Sequence, residues 1–238
     1  MVSSYFARFK HVTPKRVSDF ILEQLEEAII LKDVLPEEQL PPERELATLF
    51  KASRLAVREA IAELEEKGLI ERRLGAKGGT FVLPLTAKTH QRTKQQIAEN
   101  WARMKEMLEY RSIIEPEAAR LAAARITTEQ LAHIRELVEK SSGEDCTREM
   151  FRSLDVKFHL EIAHASGNSY IESAVRRVRT NINPGLDLMP YNRQTQLSSC
   201  ELHHVLLEAL DARDGDKASE TMKAHVNKTL SALSQFVE

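Results

Sequence analysis

Residues 43–83 read ERELATLFKASRLAVREAIAELEEKGLIERRLGAKGGTFVL, and the order of signals in this stretch decides the fold of the first third of the chain. ERELATLF gives two or three helical turns, with Pro42 suited to a first turn, where its missing N–H costs nothing. Lys51 and Ala52 leave room only for a tight connection. The Ser53 hydroxyl can cap a second helix, RLAVREAIAELEEKG, which Gly68 ends. From Leu69 the pattern changes. LIERRLGAKGGTFVL alternates, bends at a glycine-rich turn and returns as TFVL, a β-hairpin. Upstream, VSDFILEQLEEAIILKDVL (17–35) is an amphipathic helix with Phe20, Ile21, Leu25, Ala28 and Ile29 on one face, and the prolines of PEEQLPP stop it. Helix, short helix, tight turn, helix and hairpin make a winged helix-turn-helix domain over residues 10–84.

This arrangement has a use. Ser53, Arg54 and Arg58 project from the N-terminal half of the second helix, whose dipole favours phosphates, while Val57, Ile61 and Leu64 face the core. KASRLAVR (51–58) and RRLGAK (72–77) each carry three cations and no acid. On a chain of formal net charge −2 they predict a small, directed phosphate-binding surface rather than a protein that coats nucleic acid. A solvated face is the plainer reading of charge alone.

The segment LPPERELATLFKASRLAVREAIAELEEKGLIERRLGAKGGTFV closely resembles the DNA-binding domain of the GntR family of bacterial transcription regulators. The shared pattern is roughly L-P-S-E-R-E-L-A, then S-R-x-x-V-R-E-A-L, then G-L-[IV] and a glycine-rich wing ending T-F-V. The resemblance implies double-stranded DNA as a partner, with Arg44, Ser53, Arg54 and Arg58 contacting it and Gly75 and Lys77 in the wing. Pro42 stands where the family carries a capping serine. Leu55-Ala56 stands where Thr-Pro is common, so operator sequence does not carry over.

The 238 residues are 42% hydrophobic and 29% charged, with eight glycines and eight prolines, a composition for two soluble, largely helical domains. Cys146 and Cys200 form no CxxC motif, and no apolar run suits a signal peptide or membrane span, which points to the cytoplasm. Residues 85–97 are polar without an apolar stripe and read as a linker. From 98 to 238 the pattern is helical throughout, with a break near Pro116, another over NPGLDLMPYNRQ (183–194) and a turn at RDGD (213–216). An all-α antiparallel bundle of six or seven helices follows. The whole chain is thus mostly α, its strands confined to the wing.

Within FRSLDVKFHLEIAHA (151–165) the stripe Phe151, Leu154, Phe158, Ile162 faces a core, yet Asp155 and His159 fall inside it. A carboxylate there costs several kcal/mol unless paired. A buried Asp–His hydrogen bond is the plain account and a metal site the functional one. His203 and His225 lie on successive helices joined by a short turn, so both can face the same interior.

This half resembles the FCD ligand-binding domain of the FadR-like branch of the GntR family, through YRSIIEPEAARLAA, LDVKFHLEIAHASGN and HHVLLEALDARDGDKASETMKAHV. Many members bind a divalent metal through one Asp and three His. The resemblance selects Asp155, His159, His203 rather than His204, and His225. It implies a small organic acid that completes the metal's shell. Imidazole with carboxylate suits zinc first, then nickel, iron or manganese. Arg111 is the candidate second clamp on that acid, its alternative being an ion pair with Glu115. His133, His164 and His204 read as structural or exposed, and Trp101 and the methionines as packing.

The sum predicts a metabolite-responsive DNA-binding regulator, a repressor in the first instance, acting as a homodimer on a palindromic operator. A metal-sensing regulator without organic effector is the alternative. A helical-bundle metalloenzyme is weaker, because no general base stands beside the motif other than Glu161 or Glu208, and no nucleophile elbow, phosphate loop or dinucleotide fingerprint is present.

Overall fold

The computed structural model describes residues 14–75, 78–84 and 87–237. Helix α1 (Val17–Ile30) is shorter than its periodicity suggests. Lys32 takes φ 62°, and the Lys32 and Asp33 amides fold back on the Ile29 and Ala28 carbonyls, which ends the helix before Val34. Its buried face is Ile21, Leu22, Leu25 and Ile29, whereas Phe20 is exposed. Helix α2 (Glu43–Leu49) starts with Pro42 one position earlier than expected, at the cap itself. Lys51 turns the chain in a left-handed conformation. Helix α3 (Arg54–Glu66) is capped by Ser53, whose Oγ accepts from the Ala56 amide at 3.1 Å, and ends at Gly68 with φ 74°.

Strands β1 (Ile70–Arg73) and β2 (Gly79–Val82) pair antiparallel, Ile70 opposite Val82. The proline-flanked segment after α1 adds to this wing: the Glu37 and Leu40 amides donate to the Val82 and Thr80 carbonyls, each at 2.8 Å. Leu40 is buried with Ile21, Leu25, Val57, Ile61, Leu64, Ile70 and Val82 in one core. That core buries one face of α3 and leaves Arg54, Leu55, Arg58 and Glu59 exposed on the other.

The segment read as a linker holds helix α4 (Ala87–Glu99), and only Ile97 of its described side chains is buried. Helix α5 (Trp101–Arg125) runs unbroken through Pro116. Proline removes one intrahelical bond, but Pro116 is buried among Ala118, Ala119 and Ala122, and packing holds the axis. Helices α6 (Thr128–Ser142), α7 (Arg148–Ala165), α8 (Ser169–Leu186), α9 (Arg193–Asp211) and α10 (Gly215–Val237) complete the bundle. Side-chain caps start all five: Thr127, Thr147, Asn168, Asn192 and Asp214, whose Oδ1 accepts from the Lys217 amide at 2.9 Å. Helix α8 continues past Asn183 and through Pro184, so the expected break shrinks to a short loop before Asn192. The bundle core joins α5, α6, α7, α9 and α10 through Ala119, Ala122, Ile134, Phe158, Ile162, Leu210 and Met222.

The two parts touch along α1 and α8. Lys32 Nζ lies 2.5 Å from Asp187 Oδ2, Arg176 Nη1 3.2 Å from Glu27 Oε1, and Asn183 Nδ2 donates to the Ile30 carbonyl at 3.3 Å.

Candidate functional site

The apolar stripe of α7 buries Phe151, Leu154, Phe158 and Ile162, and the same packing draws Asp155 and His159 inward. His203 reaches the same point from α9 and His225 from α10, all four side chains being buried. Their ligand atoms lie within 4.8 Å of one another. His159 Nε2 is 3.2 Å and His203 Nε2 3.4 Å from His225 Nε2, while both stand 3.7 Å from Asp155 Oδ1. Phe158 stacks on the His203 ring at 4.1 Å and meets His159 edge-on.

A second layer sets the charge of these groups. Arg179 Nη2 donates to Asp155 Oδ2 at 2.5 Å, which leaves Oδ1 turned toward the imidazoles. Glu115 Oε2 lies 2.6 Å from His159 Nδ1, close though off the hydrogen-bond line. A carboxylate there favours the proton on Nδ1 and leaves the Nε2 lone pair facing the cluster. Burial pushes the Asp155 carboxyl up, but Arg179, His159 and His203 outweigh it and hold the group ionised, well below the usual carboxylate range. Glu115 is likewise held low, burial being overcome by Arg111, His159 and Arg179. Burial drives His203 down to about 3, and drives His225 down together with the neighbouring His203 and His159. Both rings are therefore neutral at ordinary pH.

One ionised carboxylate oxygen and three converging imidazole nitrogens form a buried N₃O donor set. The 3.7 Å separations from Oδ1 are too long for hydrogen bonds, so the imidazoles do not satisfy that oxygen. A divalent cation would satisfy all four, and the residues fit one.

Arg111 is fully buried on α5 and grips Glu115 with Nε at 2.7 Å and Nη2 at 3.4 Å, so the ion pair weighed from sequence is formed. Its Nη1 has no partner among the described residues, nor do Nε and Nη1 of Arg179. Buried guanidinium donors without acceptors are costly, and they stand beside the cluster. Arg179 was not anticipated, although it carries the same signal as Asp155: a charge inside the apolar stripe Val175, Val178, Ile182 of α8. Among the remaining histidines, His133, His164 and His204 are exposed. Glu161 lies 3.9 Å from His133 and Glu208 is exposed, so neither joins the cluster.

On the winged helix-turn-helix domain Arg44, Ser53, Arg54 and Arg58 are exposed. Arg58 is 3.4 Å from Glu43, and Ser53 is engaged as the cap. No carboxylate stands at ion-pair distance from Arg44 or Arg54 among the described residues. Two of the wing cations are committed elsewhere, Arg72 to Glu65 and Arg73 to Glu37, with Arg73 also 4.3 Å over the Phe81 ring. Gly75 has φ 101°, a conformation that glycine adopts at low cost and residues with a Cβ do not. Lys77 lies outside the described residues.

The two halves match two family models. Residues 17–82 match "Bacterial regulatory proteins, gntR family" and residues 106–228 match the FCD domain, which covers more than half the chain. The chain belongs to the gntR family of regulators with an FCD domain. Curated relatives agree. The Uxu operon transcriptional regulator of Escherichia coli K12 is 31% identical over 220 residues, 89% of this chain and 84% of the relative. The Exu regulon transcriptional regulator of the same organism is 29% identical over 229 residues, 91% and 84%. The HTH-type transcriptional repressor NanR of Salmonella schwarzengrund is 29% identical over 230 residues, 92% and 85%. Among solved structures, E. coli McbR/YncC shares the fold with a TM-score of 0.59 at 20% identity, over 94% of this chain and 100% of that one. A GntR regulator from Rhodococcus sp. RHA1 aligns with a TM-score of 0.54 at 20% identity, over 92% and 97%. This gntR-family protein is accordingly a DNA-binding transcription regulator and not an enzyme, and no described helix is long and apolar enough to cross a membrane.

Proposed function

We propose that the protein represses transcription as a homodimer and that Asp155, His159, His203 and His225 hold a divalent metal, zinc first, on which a small organic acid docks. The observation that carries this reading is the buried N₃O cluster beside guanidinium donors without acceptors. A bound metal supplies a Lewis-acidic anchor for a carboxylate. The protein supplies the rest. Arg179 keeps Asp155 charged, Glu115 orients His159, and Arg111 Nη1 offers the acid a second, charge-assisted contact. The family name of NanR supports a repressor.

Helix α8 carries the message. It holds Asp155 through Arg179, and it holds α1 through Arg176, Asn183 and Asp187. A change in the acid's grip on the cluster shifts α8, and with it the angle at which each α3 meets DNA. Copies pair along the groove between α5 and α8, where Tyr110, Ile113 and Tyr170 are exposed. Arg44, Ser53, Arg54 and Arg58, with Gly75 and Lys77 in the wing, meet a palindromic operator.

A thermal-shift screen tests the site. Metal-loaded protein, compared with chelator-stripped protein, is heated with sugar acids, hydroxy acids and dicarboxylates. An acid at about a hundred times its Kd adds about 2.7 kcal/mol, a rise of several degrees in Tm. A shift that disappears on chelation supports the reading. Equal shifts with and without metal contradict it.

A further inference from the structure

A cavity of about 420 Å³ lies away from the metal cluster, between the DNA-binding domain and the bundle. Ile29, Ile30, Leu69 and Leu83 give it an apolar wall from the first domain, and Arg148 and Arg152 face it from α7. Its volume falls in the range of small-molecule sites, which favour domain boundaries. The lining acids Asp187 and Glu26 are already neutralised, by Lys32 at 2.5 Å and Lys67 at 2.7 Å. The two arginines have no carboxylate at ion-pair distance among the described residues, Asp187 and Asp155 acting on Arg152 only from further off. Arg148 donates to the Asp187 and Met189 carbonyls and Arg152 to the Leu186 carbonyl, all uncharged acceptors, and Arg152 Nε is buried with no partner among the described residues. Of the lining carboxylates only the exposed Glu149 at the rim has no cationic partner among the described residues.

We infer that this interdomain cavity is a second ligand site, for an organic anion with an apolar body, bound through Arg152 and Arg148 and separate from the metal cluster. An apolar body covers the Ile30 and Leu83 wall, and a carboxylate supplies the acceptor that Arg152 Nε lacks. Such a ligand touches α1, the end of the wing, α4 and α7 at once, so its occupation fixes the DNA-binding domain against the bundle. Nothing in this argument depends on the metal.

The probe is 2-naphthoate, titrated calorimetrically into zinc-loaded full-length protein, with 2-naphthamide as the neutral body and acetate as the bare anion. One saturable site per chain for naphthoate is expected, at least about tenfold tighter than for either control, since a charge-assisted hydrogen bond is worth about that factor or more. Leu83→Trp, which fills the cavity, abolishes binding, and Arg152→Gln weakens it about tenfold or more. The His203→Ala/His225→Ala variant binds naphthoate within about twofold of the parent. Circular dichroism confirms that each variant is folded, and Leu83→Trp keeps the test decisive if Arg152→Gln is not. Naphthoate binding lost in the histidine variant but kept in Leu83→Trp places the ligand at the metal cluster and overturns the inference. So does the absence of saturable binding.

Discussion

Asp155 divides its two oxygens between two tasks, one held by Arg179 and the other facing three imidazoles. Removing Arg179 leaves a charge buried and uncompensated. Arg179→Met therefore lowers the stability of metal-free protein by about 3–5 kcal/mol, and zinc returns part of the loss by supplying positive charge to the same carboxylate. Urea denaturation with and without zinc measures both, and a loss unchanged by zinc would separate Asp155 from the metal. Acid acts on the neighbouring rings. His203 has a folded pKa of about 3 against an ordinary 6.5, so the unfolded chain binds more protons between those values. Stability of the metal-free protein then rises with pH across that window and falls as pH drops below about 6.5. His225 is shifted in the same direction, and the depressed Asp155 and Glu115 carboxyls add a further loss below their unfolded range. Urea midpoints taken from about pH 7.5 to about pH 4.5 should decline steadily, and a flat profile would contradict the assigned burial. Asp155 and His159 were legible in sequence because charge interrupts an apolar stripe. Arg179 carried that signal too, but a long cationic side chain in a helix is so often exposed that only its partner gives it meaning.

At the scale of elements, α8 contacts the Asp–His cluster through Arg179 and α1 through Arg176, Asn183 and Asp187. Lys32→Ala removes its pairing with Asp187 at the end of α1 while leaving the proposed DNA contacts and the Asp–His cluster in place. Zinc binding and operator binding without acid are expected to stay within about twofold of the parent, while the acid's effect on operator affinity shrinks. Fluorescence anisotropy of labelled operator reads this, and an undiminished effect would take the α1–α8 contact out of the pathway. The small domain was readable almost whole, since Ser53, Gly68 and the glycines of the wing mark its corners by turn chemistry. The element ends were less so. Helix α1 stops at Ile30 because of a left-handed Lys32, which no composition rule marks, and α5 and α8 pass through Pro116 and Pro184 because buried neighbours override a single missing hydrogen bond. The polar α4 has no stripe to announce it, its burial resting on Ile97.

Across the whole molecule, the proposed homodimer brings two α3 helices to one operator. Ile113 is 68% exposed on α5, on the face along which the two copies are proposed to pair. Ile113→Asp is expected to shift the protein from dimer to monomer in analytical ultracentrifugation and to weaken operator binding, with helix content unchanged. A variant that stays dimeric would move the interface elsewhere. The central claim is that the buried Asp–His₃ cluster controls DNA binding, and operator affinity measured against acid concentration tests it most directly. Zinc-loaded protein and the His203→Ala/His225→Ala variant are compared by anisotropy, using an acid found in the thermal screen. Coupling energies of about 1–3 kcal/mol correspond to changes of about 5–150-fold, so the account predicts a change of that size in the parent and none in the variant. The same change in both proteins would contradict it.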